Sequence, residues 1–307
     1  MEFVVAIATY AREETIGPAV LETLKRAKVD DDQIKVFVPN EEQLLDYRRK
    51  LGNRYELIVS CPGQFAARQF YHRWISEKYG QGFKTIQMDD DIYGFWELIE
   101  TPERKAGWDK RLYEGSLEDL AKQGYGLAEE LGTGLWGMGI TQNYFFMQNK
   151  AMAGNMLIAG GFQGVFAGDD IFIGKQRTYA ESAHEDVETC CLAFIKYGKL
   201  VKLPYFSIIT KDIEPGGIRK EVTDKGHAKS EAEAAKAREM TDFAARKMLS
   251  ERYPELVSLA WAEEGTTLGE GTRFVLENGK FQHLRFRRIG NSSIPRRVVE
   301  NRFLGKG

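Results

Sequence analysis

The chain has 307 residues, 43% hydrophobic and 29% charged, with a net charge of −2. That length suffices for one large α/β domain with an appendage, or for two domains, and the near-neutral balance excludes recruitment of nucleic acid by a global field, leaving only local patches. Cys61, Cys190 and Cys191 are odd in number and lack metal or disulfide spacing, so they read as reduced thiols. Residues 1–8 are too short and too acidic for a signal peptide, and no run reaches the length of a membrane span. The expectation is a cytoplasmic protein with no membrane partner.

Residues 3–8 predict a buried strand, because their apolar members run on without alternation. Thr9-Tyr10-Ala11-Arg12-Glu13-Glu14 predicts a polar loop. A helix follows over residues 15–27, with Ile16, Val20, Leu21, Leu24 and Ala27 on one face and Pro18 in the first turn. Residues 34–38 predict a strand, 41–51 a helix and 55–60 a strand. Pro62-Gly63-Gln64 opens a further helix that stops at Gly80. Arg68 lies in its second turn, either reaching a diphosphate with help from the helix N-terminus or standing as an ordinary surface arginine. Strands alternating with helices imply a mostly parallel, helix-covered sheet, whose ligands bind outside the carboxyl ends of the strands.

The stretch from Phe83 to Tyr93 begins as a strand and ends in Asp89, Asp90 and Asp91. Carboxylates packed this closely repel unless a cation lies between them. Mg²⁺ or Mn²⁺ suits such a set, taking one or two carboxylates plus substrate phosphates. The alternative is a solvated acidic turn. Asp30, Asp31 and Asp32 form the same tripeptide after a helix end, where a surface loop is enough; only the second triplet follows a strand.

Beyond it the pattern weakens. Residues 95–115 read as an irregular insertion, with a lid as one option. Residues 116–131 predict a helix opened by Ser116-Leu117-Glu118-Asp119, and residues 143–147 look strand-like. Gly160-Gly161-Phe162-Gln163-Gly164 reads as a flexible turn, either a plain connection or a place where a ligand meets backbone. Asp169 and Asp170 form another acidic pair of ambiguous role. Ser182-Ala183-His184-Glu185-Asp186 opens a helix running to about Tyr197. Ser182 and Glu185 make a capping box, which explains Glu185 and leaves Asp186 available as a general base.

The C-terminal part starts with a long helix over residues 230–253, stopped by Pro254. Asn278-Gly279 between residues 274–277 and 280–286 signals a hairpin. From Lys280 onward eight basic residues face Glu300 alone, a local charge of +7 that leaves −9 for the rest. Arg285, Arg287, Arg296 and Arg297 are candidates for phosphate-backbone contact, with Phe281 and His283 sharing the strand face of Arg285 and Arg287. The alternative is a solvated basic tail.

Taken in order, strand then Thr9-Tyr10-x-Arg12, strand then Asp89-Asp90-Asp91, Gly160-Gly161-Phe162, and Glu185-Asp186 opening a helix resemble the GT-A glycosyltransferases, in particular inverting family 2-like enzymes. The resemblance covers residues 1–212. Ile7-Ala8-Thr9-Tyr10-Ala11-Arg12, Val38-Pro39-x-Glu41, Ala66-Ala67-Arg68-Gln69 and Met88-Asp89-Asp90-Asp91-Ile92 look closer to the TET/JBP-associated glycosyltransferases, which include the base J glucosyltransferase and phage enzymes that glycosylate hydroxymethylated pyrimidines in DNA. The chain departs from ordinary family 2 members at Ala8, where proline often precedes Thr-Tyr, and at Ala11, where asparagine is common. It also lacks the aspartate that usually follows the second strand and reads uracil.

The resemblance implies a GT-A, Rossmann-like α/β core over residues 1–212, with helices on both faces. Residues 213–307 form an extension of loop, long helix, β-hairpin and basic tail. It implies a UDP-sugar donor held by Thr9, Tyr10, Arg12, Arg68 and Asp90. Mn²⁺ or Mg²⁺ would sit on Asp89 and Asp91, with His227 as a further ligand. Asp186, with Glu185 beside it, would supply the base. The expected reaction moves glucose from UDP-glucose to a hydroxymethylated pyrimidine in DNA, with the base flipped out and Trp136 or Tyr144 stacking on it. Three alternatives are a GT-A transferase acting on a glycan or lipid-linked acceptor, a nucleotidyltransferase, and a non-enzymatic DNA-binding protein.

Overall fold

The first strand, β1 (Val4–Ala8), lies inside the sheet, and its side chains alternate between two cores. Val5 and Ile7 join one hydrophobic cluster, Val4 and Ala6 another, as the two-residue period of a strand requires. The computed structural model describes residues 1–60, 64–102, 107–173, 184–211, 230–263 and 280–305.

After β1 the chain winds a π-helical turn, Gly17–Leu21, and then α1 (Glu22–Arg26), so the helix predicted from residue 15 starts later and changes pitch. β2 (Ile34–Val38), α2 (Glu41–Leu51), β3 (Glu56–Val59), α3 (Gln64–Tyr79) and β4 (Lys84–Asp89) follow as expected. Asn40 caps α2 by accepting from the Gln43 amide at 2.8 Å. The first Asp triplet is a surface turn: Asp30 caps a short 3₁₀ turn and Asp31 pairs with Arg54 at 2.6 Å.

Residues 95–115 are not an irregular insertion. They form most of an antiparallel pair, β5 (Ile92–Glu100) and β6 (Trp108–Leu112), with Glu97 opposite Arg111. The charges that obscure the pattern are paired internally: buried Glu97 accepts from Arg111 at 3.0 Å and from Arg296. α4 (Leu117–Leu131) is capped by Ser116. β7 (Leu135–Gly139) follows, and residues 143–147 then make a 3₁₀ turn, Tyr144–Phe146, rather than a strand, because the Asn143 side chain accepts from the Phe145 amide. β8 (Lys150–Gly154) and β9 (Phe162–Phe166) come next, so the predicted flexible turn at 160–164 is half strand. α5 (Glu185–Tyr197), β10 (Leu200–Thr210), α6 (Glu231–Arg252), β11 (Val257–Glu263), β12 (Lys280–Phe286), β13 (Ser292–Pro295) and α7 (Arg296–Leu304) complete the described chain.

The main sheet has eleven strands in the order β13-β8-β10-β7-β9-β4-β1-β2-β3, with β5 and β6 branching from β10. Along that path only β8 and β9 run against the rest, so the sheet is mixed but mostly parallel. α1, α2 and α4 contribute to the cluster on one face, α3 and α5 to clusters on the other. β11 and β12 form a separate antiparallel pair. Its partner strand, residues 257–263, was not anticipated, and residues 274–279 of the expected hairpin lie outside the described residues. No helix among the described residues is long and apolar enough to cross a membrane.

Candidate active site

Ala8 at the end of β1 is paired with Asp89 at the end of β4, so the loop after one strand meets the acidic turn after the other. Thr9 extends the ladder, its amide donating to Phe37 O at 3.1 Å. Its hydroxyl donates to Asp90 Oδ2 at 2.6 Å. The Tyr47 hydroxyl lies 2.6 Å from Thr9 Oγ1 and accepts from the Arg12 amide at 2.9 Å. Each hydroxyl has one proton, so the direction of the chain is fixed: Arg12 N–H to Tyr47 O–H to Thr9 O–H to the Asp90 carboxylate. The Arg12 guanidinium closes the circle on Asp90 Oδ1 and reaches Asp91 Oδ2 at 3.1 Å. Ala11, between them, adopts a left-handed φ of +48°, and its amide donates to Gln43 Oε1 at 2.9 Å. A non-glycine residue holds that conformation only when its surroundings enforce it.

This arrangement revises the expected role of Asp90. It is 1% exposed, and both of its oxygens are used inside the protein, so it organises the loop rather than facing a donor. Burial pushes its carboxyl above the usual range, against the pull of Arg12 and Thr9. For Arg12 burial works against the charge, but Asp90 and Asp91 outweigh it and its pKa is raised. Thr9 and Arg12 are likewise turned onto the acidic turn, and Tyr10 is buried. Asp89 and Asp91 flank this anchor.

The second half of the site arrives through Gly160 and Gly161. The Asp89 amide donates to Gly161 O at 3.1 Å. A Cβ on Gly161 would lie 3.3 Å from Asp89 Oδ2 and 2.9 Å from Ile208 Cδ1, so the carboxylate rests against a residue that has to be small. On the other side the Gly160 amide donates to Asp186 Oδ2 at 3.3 Å, while Asp186 Oδ1 accepts from Val187 N at 2.9 Å. Asp186 and Asp89, far apart in sequence, thus flank one dipeptide at the carboxyl edge of the sheet. Asp186 is half-buried in the first turn of α5, at the positive end of the helix.

The start of α5 differs from expectation. His184, not Ser182, is the residue before the first helical position; it has a left-handed φ of +57° and makes no side-chain cap. Glu185 is therefore the first helical residue and cannot be the third-position member of a capping box. Ser182 and His227 lie outside the described residues, as does the side chain of Arg68 on α3. His184 Nε2 instead accepts from Arg246 Nε at 3.0 Å, and Arg246 is buried on α6. Glu188, one turn further along α5, accepts from Arg252 at 2.6 Å and Tyr253 at 3.1 Å. Residues from the C-terminal part thus grip the segment that carries Asp186. Asp169 and Asp170 sit at the opposite edge of the sheet, beyond the end of β9, tied to Lys196. Trp136 is fully buried, so it cannot stack on a ligand: a Cβ at Gly164 would lie 1.9 Å from its Nε1.

The donor set at the acidic turn fits a hard divalent cation, since Asp89 and Asp91 offer only carboxylate oxygens. Among the described residues no cluster of three or more His, Cys, Asp or Glu could hold a metal, and a hard cation commonly completes its shell with phosphate oxygens of a bound nucleotide.

No family model and no curated protein sequence matches the chain. Among solved structures, it is similar to a glucosyl-3-phosphoglycerate synthase from Mycobacterium tuberculosis crystallised with Mn²⁺, UDP and glucosyl-3-phosphoglycerate. The identity is 10% and the TM-score 0.39, over 96% of this chain and 91% of that one. The same enzyme with Mn²⁺, UDP-glucose and phosphoglyceric acid gives 11% identity and a TM-score of 0.39, over 96% and 90%. A structure described as mannose-1-phosphate geranyltransferase from Thermus thermophilus gives 13% and 0.30, over 66% of this chain and 58% of that one, so the chain spans less than two thirds of that protein.

Proposed function

We propose that this chain is an inverting, metal-dependent glycosyltransferase of the GT-A type, which moves glucose from UDP-glucose to the hydroxymethyl group of a pyrimidine in DNA. The observation that carries the reading is the meeting of Asp89 and Asp186 across Gly160-Gly161, beside the acidic turn at the carboxyl edge of the sheet. A strand-end acidic turn alone is a surface feature. A helix-start carboxylate brought to the same dipeptide supplies the two groups that sugar transfer needs.

Asp186 would accept the proton of the acceptor hydroxyl as that oxygen attacks the anomeric carbon and the bond from the sugar to UDP breaks. The hydrogen bonds from Gly160 and Val187 fix the carboxylate while leaving it lone pairs for that proton. Asp89 and Asp91 would hold Mn²⁺ or Mg²⁺, which when bound neutralises charge on the departing diphosphate. Arg12 and Thr9 would keep the turn in shape through Asp90.

The experiment is to incubate the protein with a panel of UDP-sugars and Mn²⁺ and to follow UDP release with and without hydroxymethylated DNA. UDP release stimulated by that DNA supports the reading. No release from any UDP-sugar overturns the enzyme. Release stimulated by a glycan and not by DNA replaces the acceptor and keeps the donor chemistry.

A further inference from the structure

Two phenylalanines stand in solvent on the same edge of the sheet as the acidic turn. Phe145 is 67% exposed and Phe146 46%, in the 3₁₀ turn that follows the carboxyl end of β7. Exposed rings of this size forgo much of the stabilisation that burial gives, and a loop under no other demand would turn them inward. This loop is built to keep them out. Asn143 caps the turn, Thr141 Oγ1 donates to Asn143 O at 3.1 Å, and Ser207 Oγ donates to Thr141 O at 2.7 Å. Buried Met147 anchors its far side. The Tyr144 and Phe145 rings stack, with centroids 4.3 Å apart and planes at 27°.

Cations stand on neighbouring rings of the same edge. Lys110 Nζ lies 4.3 Å from the centre of Trp96, and Lys211 Nζ 3.8 Å from that of Tyr93. These features are joined to one another. Lys110 also donates to Gln142 O, and Gln142 Nε2 donates to Thr210 O at 2.8 Å. Thr210 pairs with Ile92, the residue after Asp91. The ledge therefore runs from the aromatic turn to the acidic turn through direct contacts.

We infer that this ledge binds a single-stranded stretch of polynucleotide next to the acceptor base, Phe145 and Phe146 stacking on bases and Lys110 and Lys211 meeting phosphates. The inference rests on the proposed function and names the surface its acceptor would use. Rings interleaved with cations match the repeat of base and phosphate. A neutral glycan would use the rings and draw nothing from the lysine charges.

The test is titration of a fluorescent 12-nucleotide single strand, with and without UDP and Mn²⁺, against the full chain and two double variants, Phe145→Ser with Phe146→Ser and Lys110→Gln with Lys211→Gln. The phenylalanine pair should weaken binding at least ~10-fold at every salt concentration. The lysine pair should lower the slope of log affinity against log salt by about one to two. UDP binding in Mn²⁺ reports the donor site separately, so that reading and this one can fail independently. Because the phenylalanines are exposed, their loss should leave the melting temperature in place. The inference falls if the full chain does not bind the strand, if both variants bind it as the parent does, or if the phenylalanine pair abolishes capture of a neutral oligosaccharide and leaves the oligonucleotide untouched.

Discussion

Asp186 and Glu185 are adjacent but not equivalent. Asp186 accepts from Gly160, the neighbour of the Gly161 whose carbonyl accepts from Asp89; Glu185 is the first residue of α5. Asp186→Asn keeps the shape and removes the proton acceptor, so transfer should fall by roughly 10²–10⁴-fold with donor affinity and melting temperature unchanged. Glu185→Gln keeps the shape and, with Asp186 as the base, should leave transfer within a few-fold of the parent. An active Asp186→Asn would move the base elsewhere. At the acidic turn the expected order is different. Asp91→Ala should abolish Mn²⁺-dependent UDP binding in calorimetry while the fold survives. Arg12→Ala leaves Asp90 buried without its cation and should cost roughly 3–5 kcal/mol, read as a lowered denaturation midpoint. The acids of this site were legible in sequence because each is abrupt: three in a row after a strand, two at a helix start. Tyr47 and Gln43, which shape the loop, were not. They sit one turn apart on α2, and nothing local shows that this face looks at Thr9 and Ala11.

At the scale of elements, β1 to β4 were readable because β1, β2 and β3 are mostly apolar runs, β4 leads straight into the acidic turn, and Asn40 marks the start of α2. The strands β7 to β10 were not. β7 and β8 carry Gly137, Gly139, Ala151, Ala153 and Gly154, residues that weaken a strand pattern. Some of that smallness is packing: Gly124 on α4 and Gly164 on β9 make room for the Trp136 ring between them. β10 contains Pro204, which ordinarily argues against an inner strand; it falls in the interval where the register shifts against β7, between Leu203 and Ser207. Gly164→Ala should therefore destabilise the fold by about 1–3 kcal/mol or more, because its methyl collides with a ring that has nowhere to go. Combining it with Trp136→Phe should recover part of the loss, measurable by thermal melts of the single and double variants. Two equal and additive losses would show that the ring and the glycine do not share space.

Across the whole molecule, the C-terminal part is less of an appendage than its composition implied. β13 adds to the main sheet beside β8, and α7 packs on α4, with Phe303 against Gly126. Arg296, expected on a nucleic-acid surface, is turned inward at 13% side-chain exposure. It pairs with Glu97 and Glu300 and donates to Leu98 O at 2.7 Å. Charge counting cannot tell an arginine that faces solvent from one that locks two distant segments together. Arg296→Ala should cost the roughly 3–5 kcal/mol typical of a broken buried pair, read as a lower melting temperature, and leave DNA affinity as it was. Neutralising exposed Arg285 and Arg287 should do the opposite, weakening DNA binding at low salt with little change in stability. The pairing of β13 with β8 also sets the order of events as the chain is made. β1 and β2 find both of their partners within the first ninety or so residues, so that part can condense while the ribosome is still working. β8 receives its outer neighbour only when residues 292–295 have emerged. Until then its backbone is an open template for another copy, and slow translation or a stall in the last third would expose nascent chains to aggregation through that edge.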